Sequence, residues 1–222
     1  MNNITIFVEK MGPEFLIAFK DTSIMIGWSL LITILIGIPL GILLYVTSHE
    51  LLWKKGWVRQ LSNTIINIIR SIPFVILMVA LIPITVLLVG TSTGARGAIV
   101  PLSVAAIPLL ARLTETALKN IDAGVLESSV AAGASTWQII FSVLIPEALF
   151  EVIQSVTLTL INLIAYSAIV GAVGGGGIGD LAIRYGYYRY DNTTLIITVL
   201  LLVVIVQLIQ FSGDWLAKKT KK

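Results

Sequence analysis

DAGVLESSVAAGASTWQIIFSVLIP, residues 122–146, is a segment of small and polar residues inside an otherwise apolar chain. Asp122 can cap the first free amides of a helix, and Gly133 can end that helix in a left-handed conformation. Ser135 and Gln138 form the S-x-x-Q pattern of a capping box, which opens a second helix. The 122–146 stretch therefore predicts two short helices that meet at Gly133, with Pro146 in the first turn of the helix that follows.

The second of these helices is predicted to be amphipathic. Its polar stripe contains Ser135, Gln138 and Ser142 at helical spacing, and its apolar stripe contains Trp137, Ile140, Phe141 and Leu144. Such a helix can serve as an interfacial linker or as a docking element for another protein. The pattern alone leaves both interpretations open.

The composition places the rest of the chain in a lipid bilayer. Of the 222 residues, 57% are hydrophobic and 12% are charged, about half of the roughly 25% charged residues in soluble domains. The chain has no cysteine and only one histidine, His49, so the sequence predicts neither a metal site nor a catalytic site. A net charge of +3 is too small and too dispersed to indicate nucleic-acid binding.

Five apolar segments are long enough to cross a hydrocarbon core of about 30 Å as helices. The predicted spans are residues 22–46, 63–90, 98–118, 147–173 and 193–213. Gly37 and Gly41, four residues apart in the first span, predict close contact with another helix. The third span reaches residue 118 only if Arg112 and Glu115 pair on one helix face.

The basic residues predict the orientation of these spans. More of them flank one side, and the positive-inside rule then puts the N-terminus outside and the C-terminal tail and the 122–146 stretch in the cytoplasm. The basic residues counted as cytoplasmic are Lys54, Lys55, Arg59, Lys119, Lys218, Lys219, Lys221 and Lys222, and those counted as external are Lys10, Lys20, Arg96, Arg184 and Arg189.

Several residues in or near the spans are candidates for a translocation path or gate, and each also has a structural interpretation. An arginine in a span can reach lipid head groups, and polar side chains there can bond to neighbouring helices. The pattern G-x-G-x-x-G from Gly174 matches a dinucleotide fingerprint, but it follows a span instead of a strand, so it predicts a loop or an outer gate. The candidates are Arg70, Ser71, Pro73, Asn162, Ser167, Gly174 and Gly176.

The sequence contains no phosphate-binding loop of the form G-x-x-x-x-G-K-[ST]. If transport is driven by ATP, a separate chain must bind the nucleotide. The 122–146 stretch would then be the element through which that chain moves this one.

One motif resembles a family signature. Glu127-Ser128-Ser129-x-x-x-Gly133, followed after nine residues by Val143-x-Ile145-Pro146, resembles the E-A-A-x-x-x-G-x9-I-x-L-P signature of bacterial ABC importer permeases. Serines replace both alanines of the signature, and Val143 and Ile145 replace its isoleucine and leucine. Each replacement keeps the class of side chain, small or aliphatic. RSIPF at residues 70–74 and GAVGGGGIG at residues 171–179 are similar to methionine-importer permeases in particular.

The resemblance implies an all-α membrane protein with the type I ABC importer permease fold. It implies five transmembrane helices in one domain over residues 1–222, with a cytoplasmic coupling-helix pair between spans three and four. The residues implied to couple to an ATPase are Glu127, Ser128, Ser129, Gly133, Ala134, Ser135, Trp137 and Pro146.

The resemblance also implies the partners of the chain. They are a second copy of itself, two cytoplasmic ABC ATPase subunits that bind ATP and Mg²⁺, and an external substrate-binding protein, often a lipoprotein, that delivers D- or L-methionine. The chain itself would be a transport subunit of the bacterial inner membrane, not an enzyme. The alternatives are a permease for another small amino acid or an osmolyte, and a secondary carrier, which the lack of intramembrane carboxylates disfavours.

Overall fold

The computed structural model describes residues 3–53 and 55–220, and within these ranges all regular secondary structure is helical. Lys54, Lys221 and Lys222, which were counted for orientation, lie outside the described residues, and so does the side chain of Lys10. The helices are α1 Asn3–Ser48, α2 Gly56–Ser71, α3 Phe74–Ala80, α4 Ile82–Val89, α5 Gly94–Lys119, α6 Ala123–Ala131, α7 Thr136–Ile139, α8 Ile145–Ala172, α9 Gly177–Leu181 and α10 Asn192–Thr220, with π-helical turns at Ile140–Leu144 and Ala182–Tyr187.

Four helical stretches in the described part of the chain are long and apolar enough to cross a membrane. A fifth span results when the bent pair of α2 and α3 is counted as one, in agreement with the predicted five-span fold. The four continuous stretches are Met11–Ser48, Gly94–Lys119, Thr136–Ala172 and Asn192–Thr220.

The second span differs from the single helix predicted over residues 63–90. The chain bends by 105° between α2 and α3, and α3 and α4 then continue it to Val89. The bend lies at Pro73, which has no N–H to donate, and the preceding Ile72 is extended, with φ −86° and ψ 124°. A residue before proline is disfavoured in the helical region, so the helix ends there.

The described residues form two compact units. The first contains the chain up to Leu31, Pro73–Ser103 and Leu160–Ile209, and the second contains Ile32–Ile72, Val104–Thr159 and the chain from Gln210 onward. Each unit has a core of its own. Met11, Ala18, Ile178 and Leu181 are buried together in the first unit, and the largest buried cluster of the second is Tyr45, Val46, Ala117, Leu118, Leu126, Ile139, Ile140, Leu144 and Ala148.

Helices α1 and α5 approach closely in the second unit, as the glycine pair in α1 predicted. A methyl group added at Gly41 would lie 2.6 Å from the carbonyl oxygen of Ala111 and 2.6 Å from Cβ of Thr114. At Gly37 the added group would lie 3.1 Å from Cβ of Leu110. The absence of a side chain at Gly41 therefore sets the distance between the two helices.

The ion pair predicted between Arg112 and Glu115 is confirmed, and it is part of a larger network. The Glu115 carboxylate, 4% exposed, lies 2.7 Å from Nη1 of Arg112 and 2.6 Å from Nζ of Lys119. Arg112 also donates from Nη2 to Oδ1 of Asn67 on α2, at 3.2 Å. Two cations thus compensate one buried carboxylate, and the same arginine ties α2 to the last turns of α5.

Candidate functional site

The 122–146 stretch begins with the capped helix that the sequence predicted. The Asp122 side chain accepts a hydrogen bond from the N–H of Gly124 at 2.7 Å, which satisfies one of the free amides of the first turn. Leu126 is buried in the core of the second unit, whereas Glu127 is exposed. One face of α6 is therefore packed against the core, and the opposite face is exposed.

Ser128 and Ser129 occupy the two positions where the family signature has alanine. Both hydroxyls donate to the carbonyl oxygen of Val125, at 3.0 Å and 2.7 Å. Their polar groups are therefore satisfied within α6 itself. The two serines add little volume and leave no unpaired donor for a docking partner to accommodate.

The turn at Gly133 is a Schellman motif, which agrees with the predicted helix end. Gly133 has φ +78°, its N–H donates to the carbonyl of Val130 at 2.9 Å, and the N–H of Ala134 donates to the carbonyl of Ser129 at 3.2 Å. These two bonds satisfy carbonyls at the end of α6. Because the backbone is left-handed at Gly133, the direction of the chain between α6 and α7 depends on this residue.

The capping box predicted at Ser135 is confirmed. The N–H of Ser135 donates to Oε1 of Gln138 at 2.8 Å, and the N–H of Gln138 donates to Oγ of Ser135 at 3.4 Å. The Schellman motif and the capping box are separated by a single residue, Ala134. The connection between α6 and α7 is thus held at both ends by hydrogen bonds.

Pro146 lies in the first turn of α8, as predicted, but α8 is not a separate helix. The helical stretch is continuous from Thr136 to Ala172, and Pro146 is its eleventh residue. The π-helical turn Ile140–Leu144 precedes it, and the N–H of Ile145 donates to the carbonyl of Ile140, five residues earlier. The wider turn relieves the clash that a proline ring makes with the carbonyl four residues before it.

The predicted apolar stripe of α7 is divided between two environments. Ile140 and Leu144 are buried in the core of the second unit, but Trp137 and Phe141 are 58% and 63% exposed. The two exposed rings stack with centroids 6.1 Å apart. The apolar stripe is therefore not buried as a whole, since two of its four residues face the core and two are exposed.

Trp53, from the segment after α1, also belongs to this surface, although the sequence motifs did not include it. Its ring meets Trp137 edge to face with centroids 5.4 Å apart, and Nζ of Lys55 lies 6.0 Å from its centroid. We call Trp53, Trp137 and Phe141 the aromatic surface. Trp137 and Phe141 are exposed and Trp53 is half-buried, and aromatic side chains are enriched among the contact residues of protein interfaces.

The glycine run after α8 forms a tightly packed turn in the first unit. Gly174 and Gly176 have φ of +88° and +76°, which side-chain-bearing residues rarely adopt. The N–H of Gly94 donates to the carbonyl of Gly174 at 3.1 Å, and the N–H of Ile178 donates to Oγ1 of Thr22 at 2.9 Å. The run thus joins α1, α5 and α8, and its role as a gate stays a prediction.

Comparison with known proteins gives the family. The family model described as "Binding-protein-dependent transport system inner membrane component" matches residues 37–222. The chain belongs to this family. It is a multi-pass inner-membrane transport component with the all-α permease fold.

Two bacterial relatives and one solved structure are similar to this chain over most of their length. The "Probable D-methionine transport system permease protein MetI" of Vibrio cholerae is 50% identical over 184 residues, which is 83% of this chain and 82% of that protein. The "Methionine import system permease protein MetP" of Bacillus subtilis is 41% identical over 172 residues, 78% of each chain. A chain of the inward-facing MetNI methionine ABC transporter in its CY5 native crystal form is 40% identical, with full coverage of both chains and a TM-score of 0.92.

In this permease the candidate path residues of the second span lie at the bend. Arg70 is exposed in the last turn of α2, and the Ser71 hydroxyl donates to the carbonyl of Asn67 at 2.7 Å. Pro73 is exposed and directly precedes α3. Arg70 and Ser71 belong to the second unit and Pro73 to the first, so the two compact units divide at this proline.

The candidate path residues of α8 are in different environments. Ser167 is buried and its hydroxyl donates to the carbonyl of Ile164 at 2.7 Å. Asn162 is half-buried. The hydroxyl of Ser167 is thus satisfied by its own helix, as expected of a structural serine, and the assignment of both residues to a path stays a prediction.

Proposed function

We propose that this chain is the membrane-spanning permease subunit of an ATP-driven importer for D- or L-methionine. Relatives named for methionine transport are 50% and 41% identical over most of this chain, which supports methionine over another small amino acid. In this proposal two copies of the chain pair with two cytoplasmic ABC ATPase subunits, which bind ATP and Mg²⁺. An external binding protein delivers the substrate, and the N-terminus lies outside.

The observation that carries the coupling mechanism is the rigid connection between α6 and α7. The Schellman motif at Gly133 and the capping box at Ser135 fix the connection, while buried Leu126 and Ile139 anchor it to the core of the second unit. Glu127, Trp137 and Phe141 are left exposed. A partner that binds this exposed side can therefore move the connection as a body.

The mechanism that follows is alternating access. Closure of the ATPase pair on ATP moves the two 122–146 stretches and shifts the permease from an inward-open to an outward-open population, and hydrolysis reverses the shift. Driving such an equilibrium from 1:99 to 99:1 requires about 5.5 kcal/mol of differential binding. In the proposal this free energy comes from nucleotide-dependent association of the ATPase subunits.

The test is ATP-dependent uptake by vesicles that contain this chain, its ATPase and its binding protein. We expect labelled methionine to accumulate only when all three proteins and ATP are present. Uptake by this chain without the ATPase would identify a secondary carrier. Accumulation of another amino acid with no methionine uptake would leave the importer class intact and refute the substrate.

The orientation can be tested because the chain contains no cysteine. We expect the thiol of a Glu9→Cys variant to react with a membrane-impermeant reagent in intact spheroplasts, since Glu9 is exposed near the N-terminus. The thiol of a Thr220→Cys variant should react only after the membrane is permeabilised. The reverse pattern would refute the proposed orientation.

A further inference from the structure

A cavity of about 150 Å³ lies within the first unit, whereas the 122–146 stretch belongs to the second. Helices α3 and α4, the start of α5, the end of α8 and the glycine run enclose it. Its inner wall is formed by Thr85, Ala98, Pro101, Val170 and Gly175, and all five are buried. Ser92 and Thr93, which are exposed, lie at its rim.

Thr85 is one of three threonines in the described helices, with Thr33 and Thr114, whose buried hydroxyl lacks a hydrogen-bond partner, and of the three it alone lines the cavity. It is 2% exposed, and its Oγ1 has no hydrogen-bond partner. Ser103, Thr159 and Thr198 instead donate to the carbonyl four residues earlier. A buried hydroxyl without a partner is destabilising and is retained where something else, a ligand or a water molecule, can satisfy it.

The lining determines what class of molecule fits. None of the described residues that line the cavity is charged, and most of the lining, including Met78, Ile82 and Val170, is apolar. The charged ends of an amino acid would lose their hydration here without compensation. An apolar side chain avoids this loss, and at the rim the hydroxyls of Ser92 and Thr93 lie beside the exposed Val79, Ile82 and Val173.

The volume also fits. Apolar cavities of about 150 Å³ in proteins are known to hold benzene, and the thioether chain of methionine is smaller than benzene. The sulfur of a thioether is a weak hydrogen-bond acceptor. The Thr85 hydroxyl is therefore a suitable donor for it.

We infer that this cavity is a subsite for the side chain of the transported amino acid. The thioether chain lies against Met78, Ile82 and Val170 with its sulfur facing Thr85, and the ammonium and carboxylate groups stay at the rim beside Ser92 and Thr93. This inference rests on the proposed function, since it takes methionine as the substrate. Each permease subunit would carry one such subsite.

The cysteine-free chain allows a local test. In the nucleotide-free complex of permease and ATPase, a Thr85→Cys variant places one thiol in the cavity, and methyl methanethiosulfonate is a small uncharged reagent that transfers a methylthio group to it. We expect this thiol to react and saturating L-methionine to slow the reaction at least tenfold, while glycine, which has no side chain, leaves the rate unchanged. A Thr33→Cys variant is the control, because Thr33 is equally buried and unpartnered but does not line the cavity.

Two outcomes would overturn the inference. The first is a Thr85→Cys thiol as inert as that of Thr33→Cys, which would mean that the cavity is closed to small apolar molecules. The second is a reactive thiol that methionine does not protect, which would assign the cavity to lipid or water. Methionine uptake by wild-type vesicles shows whether only the subsite or also the proposed function is refuted. Uptake by the vesicles without protection of the thiol overturns the subsite alone. An absence of uptake overturns the proposed function as well.

A filling substitution provides an independent measurement. Ala98→Val adds volume to the cavity wall, and Ala106→Val adds the same volume at an equally buried position on the same helix. We expect Ala98→Val to abolish the protection by methionine and to lower the uptake rate about tenfold relative to Ala106→Val. Equal rates and equal protection in the two variants would overturn the inference.

Discussion

Substitution of Gly133 tests whether the turn between α6 and α7 transmits motion. Gly133 has φ +78° and no heavy atom lies within 4 Å of the position a Cβ would take, so the cost of a side chain arises from the backbone and not from a clash. A left-handed conformation costs most residues about 1–2 kcal/mol, and asparagine less. That amount changes a population ratio about 5- to 30-fold. The expected order of disturbance is therefore Gly133→Asn, Gly133→Ala and, largest, Gly133→Val, because a β-branched residue is the most restricted.

The assay measures two properties of each purified variant. ATPase co-purification and ATP-dependent methionine uptake should fall in that same order, while membrane insertion stays at the wild-type level. Gly133→Asn is the matched control, since it adds a side chain but tolerates the left-handed backbone. Wild-type coupling in both Gly133→Val and Gly133→Asn would refute the role of the turn. An equally large loss in both would mean that the partner needs a bare surface at this point.

Three further substitutions have defined outcomes. Gly41→Ala should destabilise the protein by about 1–3 kcal/mol through overpacking, whereas Gly27→Ala on the same helix, where no atom lies within 4 Å, should not; equal thermal midpoints would contradict the close contact. Glu115→Gln should lower the free energy of unfolding by about 1–3 kcal/mol, because two cations lose their shared carboxylate, and an unchanged thermal midpoint would show that the network does not stabilise the fold. Glu127→Gln should weaken ATPase binding up to about fivefold if a basic residue faces it; undiminished binding would restrict Glu127 to a local effect on α6.

The hydrogen-bonded turns of the 122–146 stretch could be predicted from the sequence. Asp122, Gly133 and Ser135 each act on backbone groups within five residues, so the information needed is local. The pairing of Arg112 with Glu115 is predictable for the same reason, since three positions along a helix bring two side chains to one face. The close contact at Gly41 followed from its spacing with Gly37, although its partner helix did not.

The parts that were not predicted depend on the path of the chain over longer distances. A proline such as Pro73 can end a helix, but the sequence does not predict the 105° bend between α2 and α3, because the angle is set by how each helix packs. The exposure of Trp137 and Phe141 depends on a π-helical turn that a regular period of 3.6 residues cannot represent. The cavity beside Thr85 is likewise a property of packing between four helices, and no single motif encodes it.

The π-helical turn at Ile140–Leu144 has a consequence for how such permeases change partners in evolution. A turn closed by a bond over five residues contains one residue more than an α-helical turn would need. Deleting one residue there would restore the regular ladder and rotate everything before it by about 100° about the helix axis. Trp137 would then point in a new direction while α8 stayed in place. A single-codon deletion would thus re-orient Trp137 of the aromatic surface, and under the proposed function the length of this turn is expected to match the ATPase that each permease accepts.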